Sequence, residues 1–74
     1  MGKPTQVTNS IRALRFAHGE MTQAELADRI GVTRQTVIAI EQGRYSPTLE
    51  MAFRIARVFR VSLDEAFHYP DAEA

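Results

Sequence analysis

With 74 residues, no cysteine and hydrophobic side chains at 45% of the chain, the sequence describes one small domain. It has enough apolar content for a packed core and no means of forming disulfides or thiolate–metal sites. Nine basic and nine acidic side chains cancel to a formal net charge of zero. No apolar run approaches the roughly 20 residues of a membrane span, and no apolar segment of signal-peptide type opens the chain, so a cytoplasmic protein without membrane contact is expected.

Residues 1–7 contain Pro4 and little periodicity, and are expected to form a flexible N-terminal arm or a short edge strand. A first helix opens at Asn9 or Ser10 and runs to His18, with Ile11, Leu14 and Ala17 at helical spacing. Thr22 followed by Glu25 is a capping-box pair, so a second helix covers residues 23–30. Gly31 stands where the chain must turn sharply, and Thr33 caps a third helix over 34–42 that Gly43 stops. Ala27 lets these two helices approach closely, and Leu26, Ile30, Val37 and Ile40 form the apolar stripe that fixes their angle. Two short helices locked around a glycine turn make a helix-turn-helix, the geometry that sets a helix in a DNA major groove.

Residues 44–47 form a loop, because Pro47 opposes helix at Ser46. Thr48 caps a fourth helix that continues to Phe59, and Ser62 with Glu65 opens a short fifth helix through a second capping box. Pro70 ends that order. The fold class is therefore all-α, a five-helix bundle with a central helix-turn-helix: arm over 1–7, DNA-binding domain over 8–67, and a short C-terminal tail over 68–74. The expected core is Ile11, Leu14, Leu26, Ala27, Ile30, Val32, Val37, Ile40, Leu49, Ala52, Ile55, Ala56, Phe59, Leu63 and Phe67. Met51, Phe53 and Val58 are left over on the fourth helix, to wrap the core edge or meet a partner.

The third helix of such a motif exposes its N-terminal end, so its early outward residues reach base edges first. Arg34 suits guanine O6 and N7, and Gln35 suits adenine N6 and N7. Ile38 and Ala39, one turn on, suit thymine methyls. Gln23 opens the second helix, where unpaired amides and the helix dipole favour a phosphate. Thr22 and Thr33 are caps that can also touch the DNA backbone, Thr36 lies outward and can bond phosphate or base, and Arg44 with Tyr45 forms a second clamp beyond the reading helix. Tyr45 can equally pack on the fourth helix. Zero net charge opposes DNA binding at first sight, but residues 1–63 hold nine basic and five acidic side chains, and eight of the nine bases are arginine. The chain has no paired carboxylates, glycine-rich phosphate loop or ligand-spaced histidines, so an enzyme, a metal site, a cofactor and a small-molecule ligand are not expected.

The motif and its flanks resemble the Cro/CI-type (XRE) helix-turn-helix regulators, which include phage repressors. Ile11-Arg12-Ala13-Leu14-Arg15 before Gly19 is similar to the family's first helix. Ile40-Glu41-Gln42-Gly43 with Arg44-Tyr45-Ser46-Pro47 is similar to its exit from the reading helix, and the stretches 49–59 and 62–67 to its closing helices. The resemblance implies a lambda repressor-like fold, binding to double-stranded DNA and regulation of transcription, most readily as a repressor. It also implies that Gln23 clamps the DNA backbone and that Arg15 and Glu41 pair beneath the reading helix as a structural ion pair. Two residues depart from the family pattern. Glu20 adds one residue before the second helix, where the loop is expected to bulge. Arg60 stands where the family usually has glycine, so the fourth helix is expected to end differently.

One reading helix covers only about 4–6 base pairs, so a two-fold homodimer on a palindromic operator is expected, with reading helices about 34 Å apart. Met51, Val58, Val61, Phe67 and Tyr69 are the candidate interface, which a strand of His68-Tyr69 with the N-terminal arm would extend. A protein partner bound through the acidic tail is the competing role. Without a sensory domain, control through dimer concentration, operator competition or such a partner is expected.

Overall fold

The computed structural model describes residues 5–70. Its elements in chain order are β1 (Thr8–Asn9), α1 (Ile11–Ala17), α2 (Gln23–Ile30), α3 (Arg34–Glu41), α4 (Leu49–Phe59), α5 (Leu63–Ala66) and β2 (Phe67–His68). The five helices fall where apolar periodicity and caps place them. The two strands are an addition: β1 and β2 pair antiparallel, Thr8 opposite His68 and Asn9 opposite Phe67. The expected strand at His68-Tyr69 thus lies one residue earlier, and it meets Thr8–Asn9 rather than the arm over 1–7. Of that arm and of the tail, residues 1–4 and 71–74 lie outside the described residues.

Each helix start is built locally. Thr22 Oγ1 accepts the Glu25 N–H at 3.0 Å while Glu25 Oε1 accepts the Thr22 N–H at 2.8 Å, closing the capping box. Thr33 and Thr48 accept the N–H groups of Thr36 and Met51 at 3.2 and 3.1 Å. Glu65 Oε1 takes the Ser62 N–H at 2.8 Å at the head of α5. The start of α1 is different. Ser10 makes no side-chain cap, and Asn9 acts instead: its Oδ1 accepts the Ile11 N–H at 3.1 Å while its Nδ2 donates to the Ile40 carbonyl at 3.0 Å. One amide thereby joins the head of α1 to the last turn of α3.

The core is a single cluster in which Ile11, Leu26, Ile30, Val37, Ile55 and Phe59 are the large, fully buried side chains. Burial of each contributes about 1.5–3 kcal/mol, which is how so small a domain holds together. Leu14, Val32 and Phe67 pack on its edge, half-buried. Three corrections follow. Leu49 is not core but 66% exposed, because it starts α4 on the side away from its turn-mates Met51 and Ala52. Leu63 is only half-buried and outside the cluster, while Met21 and Ala66 are buried without having been expected there. Met51 and Val58 wrap the core edge, and Phe53 stays half exposed at 50%.

The two departures resolve in opposite ways. Gly19 and Glu20 are both left-handed, at φ 75° and 56°, and these successive residues take up the extra length before α2. At the end of α4, Arg60 adopts φ 59° and ψ 42°, the very conformation a glycine would supply. The helix therefore does not end differently; Arg60 takes the left-handed cap at a cost of about 1 kcal/mol.

Candidate nucleic-acid interface

The N-terminal end of α3 stands clear of the bundle. Arg34 and Gln35 are exposed, Ile38 and Ala39 are half-buried one turn later, and Val37 and Ile40 turn into the core. This alternation follows from helical spacing, since the buried pair and the outward set lie on opposite sides of one short helix. Thr33 and Thr36 sit at the head of α3 with their hydroxyls 3.1 Å apart, Thr33 exposed as the cap and Thr36 half-buried in the first turn. Beyond the helix, Arg44 is exposed, its Nε donating to Gln42 Oε1 at 3.1 Å. Tyr45 is half-buried against the core, so packing is its structural role.

Beneath α3 lies a polar network in an otherwise apolar interior. The Arg15 guanidinium meets the Glu41 carboxylate through Nε at 2.7 Å and Nη2 at 3.2 Å, while its Nη1 donates to the Met21 carbonyl at 2.9 Å. Both side chains of the pair are about nine-tenths buried, at 8% and 10% exposure. A two-pronged contact of this kind fixes direction as well as distance. It ties α1 to the end of α3 and, through Met21, to the approach to α2. Gln23 joins it, its Nε2 donating to Glu41 Oε1 at 3.2 Å. Because a carboxylate only accepts, the Gln23 NH2 must face Glu41, and its second hydrogen is left to donate to an outside acceptor.

Arg12, Arg15, Phe16, Glu20, Thr22, Gln23, Arg34, Glu41 and Gln42 line one cleft of about 690 Å³, which Asn9 and Ala24 complete. The head of α2, the first residue of α3 and the buried ion pair thus converge on one surface. The residues of the fourth-to-fifth helix region do not join it. Met51, Val58, Val61 and Phe67 are half-buried against the core, and Tyr69 is 66% exposed. Val7, Leu63 and Phe67 line two neighbouring hollows, one completed by Asp64, His68 and Tyr69, the other by Ser46, Pro47, Leu49 and Ala52.

Sequence reasoning missed three parts of this site. The reach of Asn9 to Ile40 spans 31 residues and leaves no local signal. The Gln23–Glu41 link is equally non-local. Arg12 and Phe16 were legible, since four residues apart on a helix they share a face. Among the described residues, no helix is long and apolar enough to cross a membrane, and no three His, Cys, Asp or Glu side chains are grouped to hold a metal ion.

Known proteins agree with this geometry. The helix-turn-helix family model matches residues 11–65. An uncharacterized HTH-type transcriptional regulator of Methanocaldococcus jannaschii is 46% identical over 65 residues, covering 88% of this chain and 97% of that protein. The cryptic phage CTXphi transcriptional repressor RstR of Vibrio cholerae is 36% identical over 58 residues, 78% of this chain and 51% of the repressor. Among solved structures, the restriction-modification controller protein C.AhdI of Aeromonas hydrophila superimposes with a TM-score of 0.67 at 29% identity, over 74% of this chain and 78% of its own.

Proposed function

This chain belongs to the XRE-type helix-turn-helix family of DNA-binding transcriptional regulators, and from that membership we propose that it is a cytoplasmic repressor that reads a palindromic operator as a homodimer. The observation that carries the reading is the single cleft onto which Gln23 and Arg34 converge above the Arg15–Glu41 pair. Repression, rather than activation, is favoured by the likeness to a phage repressor and by economy, since occluding a promoter needs only a bound domain.

In this mechanism residues 8–67 are the DNA-binding unit. Arg34 chelates guanine and Gln35 pairs with adenine, each good bidentate contact giving about 1–3 kcal/mol of discrimination. Ile38 and Ala39 lie against thymine methyls. Thr22 and Gln23 hold phosphate at the head of α2, Thr33 and Thr36 at the head of α3, and Arg44 with the Tyr45 hydroxyl beyond its end. Arg15 and Glu41 orient α3 and touch no base.

The second copy docks on the side of α4, α5 and β2. Met51, Val58, Val61 and Phe67 spend most of their surface on the core, so the exposed Leu49, Phe53 and Tyr69 supply the contact area, with the Val7, Leu63 and Phe67 hollows between them. The test is selection of duplexes from a random DNA pool, with sedimentation of the protein alone and on the selected DNA. A palindrome with half-sites one helical turn apart is expected. Recovery of no enriched sequence would overturn DNA reading; an asymmetric site and monomer at high micromolar concentration, with and without DNA, would overturn the dimer alone.

A further inference from the structure

Resting on the DNA-binding reading above, we propose that α1 supplies a further backbone clamp, in which Arg12 and Phe16 hold the sugar–phosphate strand that crosses in front of α2. Phe16 is a large apolar side chain left 54% exposed, yet it is not loose. The guanidinium carbons of Arg12 and Arg15 lie 5.5 and 5.7 Å from its ring centroid, close enough for attraction to the ring face. Stacking occupies the planar face of a guanidinium and leaves its N–H edges for an anion.

The charges around the cleft decide its occupant. Arg12, Arg15 and Arg34 line it together with Glu20 and Glu41. Glu41 is neutralised by Arg15, so Arg12 and Arg34 oppose Glu20 alone and the cleft is net cationic. Arg12 and Phe16 line the same cleft as Gln23 and Arg34, so a strand gripped at Gln23 and Arg34 passes beside them. A phosphodiester backbone fits both chemistries, with its phosphate on Arg12 and a deoxyribose face on Phe16. Glu20 works against it. Its left-handed backbone, at φ 56°, belongs to the residue inserted before α2, and its carboxylate at the cleft repels the strand that Arg12 attracts.

The experiment measures affinity for the pool-selected operator and for an unrelated duplex of equal length, each over a range of salt, using Arg12→Gln, Phe16→Ala and Glu20→Gln, with thermal melts to confirm folding. Arg12→Gln is expected to weaken both duplexes alike, by about fivefold, and to lower the salt slope by about one. Phe16→Ala is expected to weaken both by about threefold with less change in slope, and Glu20→Gln to tighten both by about threefold. If Arg12→Gln and Glu20→Gln bind as the parent does, with its slope, the clamp is refuted and the reading head stands. A loss confined to the operator would make Arg12 a base contact and overturn the clamp as well. If the parent binds neither duplex in a salt-dependent way, DNA reading fails and the clamp with it.

Discussion

Two junctions in this domain use the same backbone. At the first, α2 ends in left-handed Gly31, Val32 returns its N–H to the Ala27 carbonyl at 3.0 Å, and Thr33 caps α3. At the second, α4 ends in left-handed Arg60, Val61 returns its N–H to the Ala56 carbonyl at 3.0 Å, and Ser62 heads α5. One has glycine and the other arginine, and the turn is the same. What dictates it is the return bond and the valine packed on the core edge, Val32 or Val61; glycine only lowers the cost. The junctions differ in what lies around them. At the first, Arg54 Nη1 reaches the Ile30 carbonyl at 3.4 Å, and the two helices that meet there are also tied at their far ends by the Arg15–Glu41–Gln23 network. The second rests on apolar contacts and its cap.

That contrast can be broken at graded strength. The largest effect is expected from Arg15→Ala. It strands Glu41 in the interior, and removing one partner of a buried pair costs about 3–5 kcal/mol; a thermal melt should fall by at least about 12 °C. A melt within a few degrees of the parent would mean that the network does not hold the two helices of the first junction together. Arg34→Ala sits at the same junction but faces outward, so its melt should match the parent while operator affinity falls by about 1–3 kcal/mol in a gel-shift titration. A lowered melt with intact affinity would reverse the roles of Arg15 and Arg34.

Smaller changes test the turns themselves. A Cβ on Gly31 would meet only Arg54 Nη1, at 4.0 Å, so Gly31→Ala is expected to cost about 1 kcal/mol from backbone strain alone, read from urea unfolding. A much larger loss would show that the space, not the φ angle, requires glycine. The smallest effect is expected from Arg60→Gly. It relieves strain of the same kind but loosens the unfolded chain, so a gain of about 0.5 kcal/mol or less remains. A loss there would show that the Arg60 side chain contributes a contact that offsets its strain.

These turns also explain how far the sequence could be read. Caps and helical spacing are local, so all five helices and both ends of α2 were legible. The conformation of Arg60 was not, because propensity argues against arginine there and only the tertiary demand on Val61 overrides it. Leu49 misled for a related reason: it continues the apolar stripe of α4, but of the first turn of that helix only Met51 and Ala52 reach the bundle. At the site, exposure along α3 follows from periodicity. The Gln23–Glu41 bond and the Asn9 bridge depend on how distant segments meet, and no window of sequence contains that information.

The Asn9 bridge has a mechanical consequence. Asn9 belongs both to the two-residue ribbon that joins the start of the chain to its end and, through the Ile40 carbonyl, to the last turn of α3. A ribbon of two residues on each strand holds few backbone hydrogen bonds and lies at the low-stability end of a fold. When it parts, Asn9 is no longer held by Phe67, and the far end of α3 loses a fixed neighbour. Tension or bulk applied to either strand of that ribbon is therefore delivered, through one amide, to the base of α3, the helix proposed to read DNA.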